Sequence, residues 1–215
     1  ALDVININQY ALVDIATQPG YGFQRVFVTR KNSEFILAVM ASNNRTLEAI
    51  WDPPTRTGSG SAMPYQELVD AFETTNGKLI TDPSNTSYSE TNPYANRDPR
   101  LALTVNYNGR VFKGKAVQTY VGGADGLNRN INATKTGYYM RKFLSEAATW
   151  NQQSNTLARR PWVVQRYAEI LLNYAEAANE AYGPDGAVPG ASLTARQATT
   201  HLRERVNQVP IPTAV

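Results

Sequence analysis

Few residues of this 215-residue chain are of the types that do covalent or metal chemistry. There is no cysteine and one histidine, His201. Disulfides, thiolate metal sites, thiol nucleophiles and multi-histidine zinc sites are therefore excluded, and a serine nucleophile would have a single imidazole to serve as its base. No Gly-x-Ser-x-Gly elbow occurs. Glu67 with Asp70, and Glu169 with Glu176, are the carboxylate pairs worth weighing as glycosidase residues. Each pair falls on one expected helix, whose exposed face needs charge in any case, whereas a glycosidase pair must flank the scissile bond across a cleft. Glycines 58 and 60, and later 122, 123 and 126, lack the strand before and helix after that a phosphate loop requires. Gly77-Lys78 has Phe72 where that loop's first glycine would stand. His201, beside Arg203, Glu204 and Arg205, reads as a surface or packing residue. No catalytic residue, metal ligand or cofactor site is expected, and the chain reads as a non-enzyme.

What remains is binding chemistry. The chain carries three tryptophans, twelve tyrosines and six phenylalanines, several of them in loop-like sequence rather than on apolar stripes. A flat ring offers apolar area to the C–H face of a sugar or to a peptide side chain at small entropic cost, and neighbouring Asn, Arg and Asp can fix orientation. The candidate ligand-binding residues are Trp51 at the mouth of a proline-glycine loop, Arg56 within that loop, Tyr88, Tyr94 and Trp150. Trp162, which precedes a long apolar periodicity, reads instead as a helix-entry staple. Asn-x-Ser/Thr triplets at Asn44, Asn85 and Asn132 are what chance supplies in a chain this rich in Asn and Thr.

Composition narrows the class. A net charge of +3 with no run of five or six like charges gives no clustered cations for phosphate neutralisation, which argues against nucleic acid as a partner. At 42% apolar and 18% charged residues the chain lies in the ordinary globular range. No stretch approaches the roughly 18 consecutive apolar residues of a membrane span.

These candidates need elements to hold them. Residues 1–8 read as the tail of a helix that begins upstream. Phe23, Val26 and Phe27 predict a short helix to Thr29, and the apolar run 35–40 a short buried strand. Residues 52–61, with paired prolines and spaced glycines, make a turn-rich loop. Pro64 opens a helix through Phe72, with Gly77 as its stop, and the polar stretch 81–100 is a long surface excursion. Alternation of Leu101, Leu103, Val105 and Tyr107 predicts a strand that pairs with 110–112 across Asn108-Gly109. Val163, Tyr167, Ile170, Leu171, Tyr174, Ala178 and Ala181 predict an amphipathic helix over 161–182, ended by Gly183-Pro184. Thr194 with Gln197 makes a capping box for a second helix over 194–208. The two form an antiparallel hairpin, with Ala175, Ala178 and Ala181 allowing close approach.

Four blocks in order resemble the RagB/SusD family: residues 64–72 (PYQELVDAF), 97–101 (RDPRL), 137–143 (GYYMRKF) and 166–177 (RYAEILLNYAEA). Ser33–Leu37 and the loop 51–60 are similar to the family's counterparts as well, so the likeness spans essentially the whole chain. It implies a mainly α fold: a tetratricopeptide-like helical hairpin scaffold, with helices near 1–8 and 161–208, and a loop-rich ligand side over about 30–160 with a few short strands. Members of the family are about twice as long, so residues 1–215 are expected to be a central-to-C-terminal piece of one SusD-like domain. The resemblance implies a cell-surface outer-membrane lipoprotein that captures oligosaccharide, or in some members peptide, for a TonB-dependent transporter. Its contact with the membrane would run only through a lipid anchor in the longer parent. A purely protein-docking helical scaffold is the reading from another class. The block Arg97-Asp98-Pro99-Arg100 suits internal ion pairing and turn formation.

Overall fold

A computed structural model of the chain describes residues 1–14, 18, 20–127, 129–149, 156–158 and 160–210. In chain order the elements are α1 (Leu2–Asn6), α2 (Tyr21–Val28), β1 (Phe35–Met40), α3 (Thr46–Trp51), a 3₁₀ turn (Pro54–Arg56), α4 (Gln66–Asp70), α5 (Pro99–Thr104) and β2 (Val105–Asn106). They continue with β3 (Val111–Phe112), β4 (Lys115–Ala116), β5 (Tyr139–Met140), β6 (Pro161–Arg166), α6 (Tyr167–Tyr182) and α7 (Ala195–Glu204). Among the described residues the strands pair in twos, all antiparallel: β1 with β6, β2 with β5, β3 with β4. The fold is a helical framework carrying short ribbons and long turns.

The α6–α7 hairpin holds the largest apolar cluster among the described residues. Ala168, Leu171, Tyr174, Ala175 and Ala178 of α6 meet Ala195, Ala198 and Leu202 of α7 in one apolar cluster. Alanines at the crossing let the backbones approach, and each larger apolar side chain buried there contributes about 1.5–3 kcal/mol. Ala181, the third alanine of the expected close-approach stripe, is exposed. The expected capping box is formed: Thr194 Oγ1 accepts from the Gln197 amide at 3.3 Å and Gln197 Oε1 accepts from the Thr194 amide at 2.8 Å. Gly183 ends α6 at φ +75°, a region that costs glycine little. Leu2 and Ile5 of α1 pack against the same cluster. A second cluster joins Phe23, Val26 and Phe27 of α2 to Val206 beyond α7.

Several expectations are corrected. The long helix starts at Tyr167, not 161, because Pro161–Arg166 is extended and pairs with β1. Trp162-Val163-Val164 is rich in residues that favour strands, and Val163 to Tyr167 fits a helical step only by coincidence. That ribbon is not buried: Val39 and its register partner Trp162 share one face, at 59% and 58% exposure. Residues 101–104 are helical, because Asp98 caps α5 by accepting from the Arg100 amide at 2.8 Å and Pro99 occupies the first turn. Leu101 and Leu103 accordingly point into different clusters, where a strand would have aimed both the same way. The hairpin turns at Lys113-Gly114, pairing Val111 with Ala116 and Phe112 with Lys115, while Asn108-Gly109 makes a separate turn closed by the Arg110 amide on the Tyr107 carbonyl at 3.1 Å. Helix α4 ends at Asp70, well before Gly77, and α3 arises in a stretch assigned no element from sequence.

The polar excursion 81–100 has no strand among its residues and folds on its own side chains. Asp82 Oδ1 accepts from the Ser84 amide at 2.8 Å and Asn85 Oδ1 from the Ser87 amide at 3.1 Å, both Asx turns. Arg97 locks its end to α4, donating to the carbonyls of Val69 at 2.5 Å, Phe72 at 2.8 Å and Pro93 at 2.8 Å. Asp98 and Arg100 form the internal ion pair anticipated for this block, at 2.5 Å.

Candidate functional site

Helix α3 delivers Trp51, which is half-buried, to the ring of Phe143, with centroids 6.3 Å apart. Trp162 from β6 stacks on Phe143, centroids 5.9 Å apart and planes within 19°, and Phe27 meets it in an edge-to-face contact at 5.0 Å. Phe143 sits at φ +75°, a region that costs a bulky residue about 1–3 kcal/mol. The surroundings hold it there: three rings clamp its side chain, and its carbonyl accepts from the Arg160 guanidinium. Beside this line of rings is a cavity of about 210 Å³ whose walls include Phe27, Leu47, Phe143, Trp162, Asn44 and Arg160.

The rings are held in place by a buried carboxylate. Glu48 on α3 is fully buried, forms an ion pair with Arg160, and accepts from the Ser145 amide at 3.1 Å. One side chain thereby ties α3, the chain after Phe143 and the approach to β6. Burial lowers the Arg160 guanidinium to about 10. The resulting surface has the form of a binding platform: one large exposed indole in a fixed orientation over an apolar recess rimmed by an amide and a guanidinium.

Arg56 lies in a second place, under the proline-glycine loop. It is buried, pairs with Asp125 at 3.2 Å, donates to the Phe112 carbonyl through Nη2 at 3.0 Å, and also reaches Thr55 and the Lys115 carbonyl. All of its partners belong to the chain itself. Beside it Lys113 Nζ donates to Asp52 Oδ2 at 2.6 Å and to the Ala148 carbonyl at 2.7 Å. Burial pushes the Asp52 carboxyl up to about 6 despite the opposing pull of Lys113, and pushes the Lys113 ammonium down.

Tyr94 and Tyr88 lie in a third place. Tyr94 stacks on Tyr107 with centroids 3.9 Å apart and meets Tyr138 edge-on at 6.5 Å, while Tyr88 covers the Arg97 guanidinium at 5.7 Å. Tyr138 donates its hydroxyl to Gln66 Oε1 at 2.8 Å. Burial raises the Tyr94 hydroxyl far above its ordinary range. The β2–β5 ribbon divides this group from the rings around Trp51, since Tyr138 faces the cluster of Val69 and Leu101 and Tyr139 faces that of Phe112 and Leu144.

The sequence candidates are thus not one constellation. Trp51 reaches the aromatic line, Arg56 a buried ion-pair network, Tyr88 and Tyr94 a tyrosine group, and Trp150 lies outside the described residues. Trp162 and Phe143, which complete the aromatic line with Trp51, were not among the sequence candidates. Trp162 is no staple: it stands exposed on a strand, and the signal for that was the β-favouring run that follows it. The carboxylates weighed as pairs, Glu67, Glu169 and Glu176, are exposed on helix faces, as is His201. Among the described residues no group of three or more His, Asp or Glu side chains could hold a metal ion, and no helix is long and apolar enough to cross a membrane.

Comparison with solved structures finds this fold elsewhere. A SusD-like protein from Bacteroides fragilis NCTC 9343 superposes with a TM-score of 0.72 at 24% identity, over 100% of this chain and 44% of its own. A SusD-like carbohydrate-binding protein from the same organism gives 0.75 at 22% identity, over 99% of this chain and 41% of its own. The chain therefore spans less than half the length of these two proteins, and likeness at this identity speaks for the fold. A comparison with curated proteins finds no match. The model of the SusD family matches residues 25–214, nearly the whole of the sequence, and the chain belongs to the SusD family.

Proposed function

We propose that this chain is part of a non-catalytic nutrient-binding protein of the outer membrane. It captures oligosaccharide at the Trp51–Phe143–Trp162 line and passes it to a TonB-dependent transporter. The observation that carries this reading is Trp162: an indole 58% exposed, held parallel to Phe143, over an apolar recess edged by Asn44 and Arg160. A ring so placed offers a flat apolar face to a sugar's C–H groups without losing side-chain entropy on binding, and the partly exposed Asn44 amide, which donates one hydrogen to the Ser42 carbonyl, has a second for an orienting hydrogen bond. The carbohydrate-binding protein with the same fold supports the cargo class. Attachment to the outer membrane is through a lipid anchor on the longer parent, and the α6–α7 hairpin belongs to the scaffold side.

The test is tryptophan-fluorescence titration of the full-length protein with a panel of neutral and acidic oligosaccharides and of mixed peptides, each ligand being checked by chromatography afterwards. Saturable quenching by an oligosaccharide recovered intact, weakened at least tenfold in Trp162→Ala, is the expected result. Quenching by peptides alone would replace the cargo class, and unchanged affinity in Trp162→Ala would remove the site.

A further inference from the structure

The cavity of about 210 Å³ beside the aromatic line has rings and donors in its wall and no carboxylate. Asn44 keeps one amide hydrogen beyond the one it gives the Ser42 carbonyl, and Thr46, exposed in the same wall, presents a hydroxyl. What lies against the rings is cationic. The half-buried Lys142 places Nζ 4.5 Å from the centre of the Phe27 ring and 5.3 Å from that of Phe143, and both rings line the cavity. The Arg166 guanidinium lies 5.7 Å from the same Phe27 ring, and Arg160 is part of the wall itself.

These charges do not balance. Glu48 offsets Arg160, but Glu34 serves both Arg166 and Arg205, and among the described residues Lys142 Nζ has neither an ion-pair partner nor a hydrogen-bond acceptor. All 18 Asp and Glu side chains of the sequence belong to the described residues, so these 215 residues hold no further carboxylate for it. Four cations thus meet two carboxylates behind the rings. Burial first, and then Arg166, push the Lys142 ammonium down from its ordinary value, the direction expected of a charge without a counter-ion. Ring faces relieve it only in part. Uncompensated charge among apolar side chains is poorly screened, and its field reaches the nearest open surface, here the ring-walled cavity. We propose that the aromatic line selects acidic sugars: a ring laid on Trp162 sets its carboxylate in the recess, where Asn44 and Thr46 donate to it and the charge of Lys142 attracts it. Contact with Lys142 is not required, because Coulomb attraction acts across the breadth of an aromatic ring. The proposal rests on the carbohydrate reading of this site and names the class of sugar within it.

The experiment is fluorescence titration of the full-length protein with matched pairs of ligands: linear trimers of glucose, galactose and mannose, each against the uronic acid trimer of the same linkage. The wild type, Lys142→Met and Asn44→Asp are compared, and the quantity read is the ratio of uronate to neutral affinity within a pair. Lys142→Met keeps the apolar stem and removes the charge. Asn44→Asp is nearly isosteric and sets a carboxylate at the wall without touching the interior. The expected result is a uronate bound about tenfold or more tighter than its neutral counterpart by the wild type, with that ratio falling about fivefold or more in each variant. A neutral trimer bound by the wild type as tightly as its uronate overturns the selectivity and leaves the carbohydrate site standing, as it would if the longer parent supplied Lys142 with a carboxylate. A ratio unchanged in Lys142→Met overturns it too, and if that variant does not fold, an unchanged ratio in Asn44→Asp does the same. Failure of all six trimers to bind the wild type overturns the carbohydrate reading itself, and this inference with it.

Discussion

Arg205 Nη1 lies 2.6 Å from Glu34 Oε2, joining the end of α7 to the residue before β1 across 171 positions of sequence. The carboxylate is fully buried and also takes Arg166 Nη1 at 2.5 Å and the Val13 amide at 3.2 Å. Glu34 is thus the point where α7, the β6–α6 junction and the start of β1 meet. Removing one partner of a buried ion pair costs about 3–5 kcal/mol, because the remaining charge stays desolvated and unpaired. Glu34→Ala is expected to lose about that much in urea unfolding, and Glu34→Gln less. A loss under 1 kcal/mol in Glu34→Ala would show the two arginines finding water or other partners.

Asp52 makes stability depend on pH with a definite sign. Its folded-state value near 6 stands above its ordinary 3.8. Between those values the folded chain holds a proton that the unfolded chain has released, so this group's contribution to stability is complete at low pH and is lost as pH rises through about 6. The shift corresponds to about 3 kcal/mol. Urea melts of the wild type and Asp52→Asn at pH 4 and pH 7 should show the variant gaining on the wild type by an amount of this order, and a difference that stays flat with pH would refute the assignment.

The capping box of α7 can be tested alone. Thr194→Ala deletes the acceptor for the Gln197 amide, and such losses cost about 1 kcal/mol, within a range of about 0.5–2. Thr194→Ser and Thr194→Asp should restore most of it. Thermal unfolding followed by circular dichroism reads both, and an alanine variant as stable as the wild type would mean the hairpin contacts alone hold the end of the helix.

Gly58 is a question of space. A Cβ there would stand 2.2 Å from the Asp52 carbonyl oxygen and 2.6 Å from its Cβ. Gly58→Ala must therefore push the loop off Asp52, at a cost on the order of 2–4 kcal/mol. Gly109→Ala is the control, since it meets nothing within 4 Å and suffers only its φ of +80°, a strain of about 1–2 kcal/mol. Equal melting temperatures for the two variants would show that the loop yields freely.

What the sequence revealed follows from the range of the forces involved. Helices α2, α6 and α7 were legible because stepwise apolar spacing and caps are local, and the Thr194–Gln197 box was read residue for residue. The strand over 101–104 was misread because Leu101 and Leu103 alternate, although Asp98-Pro99 just ahead is a local helix start and was there to be used. The ribbon at 161–166 could not be read from local pattern, since its partner β1 lies more than 120 residues earlier. The candidate binding residues fared similarly. Aromatic content in loops pointed to a binding surface, but the grouping of Trp51 with Phe143 and Trp162 comes from Glu48 and Arg160 meeting in the interior, and nothing in their spacing announces that. Arg56, chosen for its loop position, is engaged wholly with Asp125, Thr55 and backbone carbonyls.

Strand β6 ends at Arg166 and α6 begins at Tyr167, with no residue between them. Trp162 is therefore mounted on the same rod of backbone as the hairpin's main helix. The ring and the helix share one uninterrupted stretch of chain, and α6 in turn is packed against α1 and α7. Cargo resting on the ring would press directly on the framework below, so occupancy could be felt along α6 by whatever touches it without any loop having to close.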